Sequence, residues 1–277
     1  MQIKKIKRNY ILYKSGVEYE NYACNHVFHC THNCQYPCYA RLKMNVSQYD
    51  WANTIYIVEN SIQLLNKEIP KYRNDIKQVH LSFLSDPFMY KVDAVKELTL
   101  EILNLLKVEG IKYKVLTKGM YPVEDIKKIE RRERKKENQV LDLFGLAEVK
   151  NDEKEIINEY GISLVSLDEK FRRKWEPGAS PYYERLGALK EIAKNGIFTY
   201  VYMEPLHPDN ISLQEFERLL ENVSFVKKIY FGSWQYNRNF KDKTKYVQYI
   251  ELARQFCNDK NIQLLIKKEV QYTNINI

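Results

Sequence analysis

The sequence lacks long apolar runs and has little glycine or proline, and each scarcity excludes a class of protein. No apolar stretch approaches the ~18 residues of a membrane-spanning helix, so an integral membrane protein is excluded. Nine glycines and eight prolines in 277 residues are too few for a fibrous or low-complexity chain. The basic segment 1–14 has no continuous apolar stretch of the kind found in secretory signals. We therefore expect a soluble, cytoplasmic, globular protein without a membrane partner.

Acidic residues are outnumbered by basic ones, although only moderately. The 44 Lys and Arg against 36 Asp and Glu give a formal net charge of +8. The densest basic stretch, residues 127–137, also contains acidic residues, which is typical of a solvated helix face. Binding of a phosphate-rich or protein partner is the alternative interpretation of this stretch.

Apolar segments of strand length alternate with helical patterns along most of the chain. The strand-like segments span residues 22–27, 79–84, 111–117, 161–167, 197–203, 227–231 and 262–266. Helical spacing covers residues 46–66, 92–108, 181–195, 213–221 and 246–257, with a further charged stretch from residue 123. Strict alternation predicts parallel strands with right-handed crossovers, in either an open doubly wound sheet or a full or partial barrel.

The chain has no internal repeat and no linker rich in Gly, Pro or Ser, which predicts a single domain over residues 1–277. Its core is expected at about 20–267, with a basic extension at 1–14 and a charged helical insertion at about 130–155. In parallel α/β proteins the chemistry gathers at the carboxyl ends of the strands. The cysteine-rich segment, Ser85 and Lys118 follow the first three predicted strands, and so we expect them at one edge.

Cysteine is rare, but four of the five copies lie within fifteen residues: Cys24, Cys30, Cys34 and Cys38. Three of the five histidines share that segment: His26, His29 and His32. In a long intracellular chain such a cluster favours metal binding over disulfides. The fifth cysteine, Cys257, lies in a predicted helix and is expected to be a buried apolar residue.

Three of these thiols, Cys30, Cys34 and Cys38, are separated by three residues each. Structural zinc prefers four ligands and usually a Cys-x-x-Cys pair, which is absent here, although Cys24 or a histidine could complete the set. Three thiolates suit a 4Fe-4S cluster with one iron left open. The spacing alone leaves three interpretations open: an iron–sulfur cluster, a zinc site, and reactive or merely structural thiols.

The motif Cys30-x-His32-x-Cys34-x-Tyr36, followed by Cys38-Tyr39-Ala40, resembles the signature of the radical S-adenosylmethionine (SAM) superfamily. More narrowly, it resembles the spore-photoproduct-lyase-like branch. Further elements of that branch follow in order over about residues 22–209: Ser85-Asp86-Pro87, Thr117-Lys118, Ser163-x-x-Ser166, Trp175-Glu176-Pro177-Gly178-Ala179-Ser180-Pro181, Arg185-Leu186 and Pro205-Leu206-His207-Pro208. One departure is Pro37, which lengthens the last cysteine spacing from two residues to three. We expect the extra residue to bulge while Cys38 still binds.

The resemblance implies a partial (β/α)6 TIM-like barrel and a radical SAM enzyme. Cys30, Cys34 and Cys38 would hold a 4Fe-4S cluster whose fourth iron binds SAM. The enzyme would cleave SAM reductively to a 5'-deoxyadenosyl radical that abstracts hydrogen from the substrate, and a flavodoxin or ferredoxin would supply the electron. The residues expected to contact SAM are Tyr36, Ser85, Lys118 and Ser163. Lys118 would neutralise the SAM carboxylate.

Purely structural roles are the alternatives for several of these residues. Either serine could instead cap a helix, Glu176 and Arg185 are expected to form a structural pair, and the clustered histidines to support the loop. Tyr36 and Tyr39 are candidates for a radical relay.

The substrate is not specified by these motifs, but one position argues against repair of spore photoproduct. The DNA-repairing member of the branch has a hydrogen-donating cysteine two residues before the Ser-Asp pair, where this chain has Phe83. We therefore expect another substrate, either nucleic acid or protein. The competing hypothesis is a zinc-stabilised nucleic-acid-binding module without catalysis, which would use the basic surface for salt-dependent binding.

Overall fold

The computed structural model describes residues 1–132, 157–233 and 243–268. Its strands are β1 (Gln2–Ile6), β2 (Leu12–Lys14), β3 (Tyr22–Cys24), β4 (Val27–Phe28), β5 (Thr54–Val58), β6 (Val79–Leu81), β7 (Tyr113–Thr117), β8 (Glu159–Ser163), β9 (Phe198–Leu206), β10 (Lys228–Ser233) and β11 (Gln263–Ile266). Its helices are α1 (Tyr39–Met44), α2 (Gln48–Asn53), α3 (Ser61–Tyr72), α4 (Asp93–Val108), α5 (Val123–Glu130), α6 (Glu169–Trp175), α7 (Tyr182–Lys194), α8 (Leu213–Asn222) and α9 (Val247–Asp259). Most of the predicted 130–155 insertion lies outside the described residues.

The main sheet has the order β11-β10-β9-β8-β7-β6-β3-β2. All its neighbouring strands are parallel except β2, which pairs antiparallel with β3. Helices α4, α5, α7, α8 and α9 lie between successive strands in the chain, as expected for right-handed crossovers. The predicted parallel α/β architecture is confirmed. The described sheet contains seven parallel strands, and the predicted count of six is not confirmed.

The sheet curves so that its two ends approach each other. The Tyr19 hydroxyl, in the turn between β2 and β3, donates a 3.1 Å hydrogen bond to the carbonyl of Ile266 at the end of β11. Inside the curve, Lys114 of β7 donates a 2.8 Å bond to the hydroxyl of Tyr230 on β10. These strands are separated by two others in the sheet order, so the contact crosses the concave face, as in a partial barrel.

A second, three-stranded sheet has the order β1-β5-β4 and corrects two predictions. The predicted helix at 46–66 is wrong in its middle, because the β-branched run of Thr54–Val58 forms β5 between α2 and α3. The predicted strand at 22–27 is two strands, β3 and β4, which enter different sheets. The basic extension at 1–14 supplies β1 and β2 to these two sheets.

The apolar core lies between the main sheet and its helices, whose amphipathic faces the sequence periodicity predicts. Helix α8 shows how a local signal fixes an element. Its N-cap Ser212 and the Glu215 side chain form a reciprocal capping box, and the buried face carries Phe216, Leu219 and Leu220. Across the described residues, none of the helices combines the length and apolar character needed to cross a bilayer.

Candidate active site

A cavity of about 480 Å³ lies at the carboxyl ends of the main-sheet strands. One wall is the loop that follows β4 and carries Cys30, Cys34 and Cys38, all three of which line the cavity. The other walls come from strand ends: Ser82 after β6, Lys118 after β7, Ser163 in β8, Glu204 in β9, Ser233 in β10 and Lys267 after β11. The predicted gathering of polar residues at one edge is therefore confirmed.

The cysteine loop brings the three thiols close enough to interact electrostatically with one another. Burial, and after it the charge of Asp86, raises the pKa of Cys30 well above its usual range. Burial, and after it the charge of Glu176, raises the pKa of Cys34 to about 12. These two thiols therefore hold their protons at neutral pH until a bound metal displaces them.

The thiols at the cavity bear on two of the interpretations that the sequence leaves open, a zinc site and an iron–sulfur cluster. Among the described residues, no three His, Cys, Asp or Glu side chains converge closely enough to bind a single ion. A zinc ion needs every ligand about 2.0–2.3 Å from one point, whereas cysteines that bind different irons of a cluster stand further apart. Cys24 is fully buried in β3, away from the cavity, and does not complete a four-ligand set. The three loop thiols match the number of protein ligands that a 4Fe-4S cluster with one open iron requires.

A second loop, residues 175–181, supports the cysteine loop from outside. The backbone N–H of Gln35 donates to the carbonyl of Trp175 at 2.8 Å, and that of Gly178 donates to the carbonyl of His32 at 3.0 Å. A Cβ atom at Gly178 would stand 2.1 Å from the carbonyl oxygen of Thr31. Only glycine permits this approach of two backbones. Residues 175–181 therefore position the cysteine loop.

Replacing Gly178 with alanine is expected to displace the cysteine loop, because neither backbone can give way without breaking the hydrogen bonds between them. We expect the variant to fold but to incorporate less than a third of the wild-type iron on anaerobic reconstitution. The matched control is Gly187→Ala in α7, where nothing lies within 4 Å of the added methyl. That change should leave iron content unaltered and raise stability by up to about 1 kcal/mol. Equal iron content in the two variants would contradict the proposed support.

A buried carboxylate connects the second loop to the cavity. Glu176 is fully buried and accepts a 2.5 Å hydrogen bond from the Tyr36 hydroxyl; its oxygens lie 3.0 Å from Lys118 Nζ and 3.1 Å from the Arg185 guanidinium. Burial alone would raise the pKa of Glu176, but the charges of Lys118 and Arg185 outweigh it and lower the pKa to about 2. The predicted Glu176–Arg185 pair is confirmed, and Lys118 is its third member.

Proteins similar to this chain are found at low sequence identity. No protein-family model matches the chain. The uncharacterized protein MJ0683 of Methanocaldococcus jannaschii is 24% identical over 253 residues, which cover 91% of this chain and 83% of that protein. A spore photoproduct lyase structure with bound AdoMet and dinucleoside spore photoproduct superposes with a TM-score of 0.66 at 11% identity, covering 96% of this chain and 81% of the lyase chain. A second lyase structure, complexed with dinucleoside spore photoproduct, gives a TM-score of 0.61 at 13% identity, with 95% and 81% coverage.

The chain has the fold of spore photoproduct lyase. The predicted resemblance to this branch of the radical SAM superfamily is thus confirmed at the level of the fold. At these identities, the similarity shows the fold and assigns no substrate or site residue to this chain.

Of the residues predicted from the lyase-like motifs to contact SAM, Lys118 and Ser163 lie together in the cavity. Lys118 Nζ donates a short hydrogen bond to the Ser163 hydroxyl, which in turn donates to the carbonyl of Glu204 at 3.1 Å. Ser85 also lines the cavity, and its hydroxyl donates to the carbonyl of His29. The alternative that these serines cap helices is wrong, because α4 and α6 are preceded by Val92 and Asp168.

The two tyrosines predicted as candidates for a radical relay both line the cavity, but in different ways. Tyr36 is buried and stacks on Trp175 with 6.5 Å between ring centroids. Tyr39 is 40% exposed, and its hydroxyl donates to the backbone carbonyl of Phe83. Phe83 itself stacks on the His80 ring at 4.2 Å and lines the cavity. Tyr39 and Phe83 therefore lie together at the cavity wall.

Of the clustered histidines, His32 has the predicted role of supporting the cysteine loop. His32 Nε2 accepts the backbone N–H of Tyr90 at 3.1 Å, while its Nδ1 lies 3.5 Å from Asp86. Burial lowers the pKa of His32, so the ring is neutral at pH 7. Asp86 in turn accepts the backbone N–H of Lys118 at 2.7 Å. His26 and His29 bond other side chains and backbone carbonyls, respectively, and do not line the cavity in the described structure.

The wall opposite the cysteines was not predicted. It contains Glu20, His80, Tyr202, Glu204 and Lys267, which line the same cavity. Lys267 Nζ lies 3.1 Å from Glu204, and Glu20 lies 3.4 Å from His80. The sequence offers only a weak signal for this wall. Tyr202 and Glu204 are two residues apart in β9, so both side chains point to the concave face of the sheet.

Proposed function

We propose that the protein is a radical SAM enzyme in which Cys30, Cys34 and Cys38 hold a 4Fe-4S cluster. The observation that carries this proposal is the convergence of these three thiols with Lys118 on one cavity at the carboxyl ends of the strands, in a chain with the fold of spore photoproduct lyase. The second candidate, a zinc-stabilised binding module, needs a fourth ligand beside the three loop thiols, and Cys24 does not line the cavity.

When bound, the reduced cluster supplies the electron that cleaves SAM to a 5'-deoxyadenosyl radical. The chain's own residues supply binding and charge. Lys118 lines the cavity and lies 3.0 Å from Glu176, whose other oxygen pairs with the fully buried Arg185, so Lys118 presents its positive charge to the cavity. The SAM carboxylate would pair with the Lys118 ammonium. Ser163 holds the Lys118 ammonium toward the cavity, and Ser85 offers its hydroxyl oxygen.

Replacing Lys118 with alanine is expected to weaken SAM binding without changing iron content. A charge-assisted hydrogen bond in a partly buried site contributes roughly 1.5–3 kcal/mol, which corresponds to about a 10- to 150-fold higher Kd. SAM affinity is measured on the reconstituted protein by equilibrium dialysis. The control is Lys128→Ala, whose side chain is 74% exposed on α5. Unchanged SAM affinity in the Lys118 variant would limit this lysine to its pairing with Glu176.

The proposed substrate is a protein or a nucleic acid, and it is not DNA that contains spore photoproduct. Phe83 lines the cavity and has no S–H or O–H bond, so it cannot return a hydrogen atom to a product radical. Given SAM, reductant and dimer-containing DNA, we expect 5'-deoxyadenosine without matching recovery of thymine. A relay through Tyr36 or Tyr39 is the route that would restore hydrogen transfer. Stoichiometric thymine recovery that is lost in Tyr39→Phe would establish that relay and overturn the prediction.

The assay that tests the proposed function is SAM cleavage itself. The anaerobically reconstituted protein is reduced with dithionite or with a flavodoxin or ferredoxin, the proposed electron donors, and 5'-deoxyadenosine is measured. We expect its formation to require both reductant and cluster. Absence of 5'-deoxyadenosine from protein that carries a full cluster and binds SAM would refute the proposal.

A further inference from the structure

The strand β1 and the residues after it form a basic surface away from the cavity. Residues 1–17 contain five basic and no acidic residues. Four of the five lie in or next to β1 and are exposed: Lys4, Lys5, Lys7 and Arg8. The segment is held in place, because the Asn60 side chain bonds both the backbone N–H of Arg8, at 3.1 Å, and its carbonyl, at 2.8 Å. Lys7 lies 3.8 Å from the Glu59 carboxylate, so the positive charge of this ordered surface comes mainly from Lys4, Lys5 and Arg8.

This surface lies close to the cysteine loop because of the small sheet. β1 pairs with β5, β5 pairs with β4, and β4 ends two residues before Cys30. Two inter-strand steps of about 4.8 Å place β1 roughly 10 Å from the strand that leads into the cysteine loop.

A chain of packed rings joins the surface to the same loop. Lys4 Nζ lies 5.8 Å from the centre of the Tyr56 ring on β5. The Tyr56 and His29 rings are 5.0 Å apart, and so are the His29 and Trp51 rings. The carbonyl of Trp51 accepts the backbone N–H of Cys30 at 3.2 Å. Packed rings and a hydrogen bond thus connect the basic surface to the first cysteine.

We propose that the surface formed by β1 and Arg8 docks an acidic one-electron donor protein, whose electron reaches the cysteine-bound group through Tyr56, His29 and Trp51. This inference rests on the proposed function and assigns its reduction step to a surface. In this reduction step the donor loses one electron and the cluster gains one. No covalent bond is formed or broken, and no proton is exchanged. Positive charge on β1 attracts a negatively charged partner and raises the association rate.

A nucleic acid would also be attracted by positive charge, but the location favours a donor protein. Among the described residues, the cavity lining begins at Gly16 and includes nothing from β1. A partner on β1 therefore leaves the cavity free for the substrate, which suits a donor that must act while substrate is bound.

The test is the charge-reversal variant Lys4→Glu/Arg8→Glu, compared with Lys128→Glu/Lys194→Glu. Both pairs change the net charge by −4, and the control lysines are 74% and 73% exposed on α5 and α7. The probe is a flavodoxin. Its affinity is measured by titration calorimetry with the oxidised, reconstituted protein, and cluster reduction by flavodoxin hydroquinone is followed by stopped-flow absorbance. A double-stranded DNA oligonucleotide is titrated in parallel, and dithionite serves as a small reductant that needs no docking.

We expect the β1 variant to bind flavodoxin at least tenfold more weakly at low salt and to be reduced by it at least tenfold more slowly, with dithionite reduction unchanged. The difference should shrink as salt is raised. The control variant should match wild type in each assay. Equal flavodoxin affinity in both variants overturns the proposal, as does a loss confined to DNA binding. A wild-type protein that dithionite cannot drive to cleave SAM would refute the proposed function instead, so the two failures are distinguishable.

Discussion

Alanine in place of Cys30, Cys34 or Cys38 should abolish both cluster assembly and 5'-deoxyadenosine formation. The reason is the ligand count: with two thiolates left, two of the four irons have no protein ligand. All three cysteines line one cavity, whereas the two other cysteines, Cys24 and Cys257, do not line it. Iron per chain, measured after anaerobic reconstitution and desalting, is expected to fall at least tenfold in each variant.

The matched controls are the two remaining cysteines. Cys24 and Cys257 are buried at 0% and 1% exposure, in β3 and α9, and neither lines the cavity. Cys24→Ala and Cys257→Ala should lose some stability yet retain wild-type iron content. A cluster lost from Cys24→Ala but kept by Cys38→Ala would show that Pro37 displaces the third ligand and that Cys24 takes its place.

Glutamine at Glu176 is expected to produce the largest loss of stability. The substitution preserves shape but leaves the Arg185 guanidinium, which is fully buried, without its counter-charge. Breaking a buried ion pair from one side costs about 3–5 kcal/mol. Urea unfolding measures the difference. Glu191→Gln removes the exposed pair with Lys194 and should change the free energy of unfolding by less than about 0.5 kcal/mol.

The pH dependence separates charge from packing in this variant. The pKa of Glu176 is about 2 in the folded protein against 4.5 for the free group, so its ionisation stabilises the fold above pH 4.5. That contribution, roughly 3 kcal/mol, is lost as the pH falls from about 4.5 to 2. Glu20 has a similarly low pKa of about 2 and titrates in both proteins. The wild-type-minus-variant difference therefore isolates Glu176, and a difference that is flat with pH would contradict its assigned charge.

Local sequence patterns predicted the elements that depend on local forces. The strands from β6 to β11 overlap the apolar segments from which they were predicted, and helices α4, α7, α8 and α9 match the helical spacing. The error at 46–66 has a physical cause. The apolar spacing of that segment is compatible with a helix, but Thr54–Val58 is stabilised as a strand by its neighbours β1 and β4, which lie far away in the chain.

The sequence predicted the site residues that lie in a recognisable motif at the end of a predicted strand. It missed the residues that only the tertiary fold brings to the cavity. The cysteines and Lys118 could be found from the sequence, whereas the approach of Gly178 to Thr31 depends on two loops separated by more than 140 residues. The opposite wall depends in the same way on closure of the sheet. Glu204 meets Lys267 only because β9 and β11 reach the same cavity edge.

The proposed cluster is tested most sharply by the metal content of the anaerobically reconstituted protein, taken together with its absorption spectrum. A cluster held by Cys30, Cys34 and Cys38 predicts about four irons per chain, a matching amount of acid-labile sulfide and a brown colour that bleaches on reduction. SAM should perturb the spectrum of the reduced cluster. A colourless protein that binds one zinc tightly and takes up no iron would rule out the cluster.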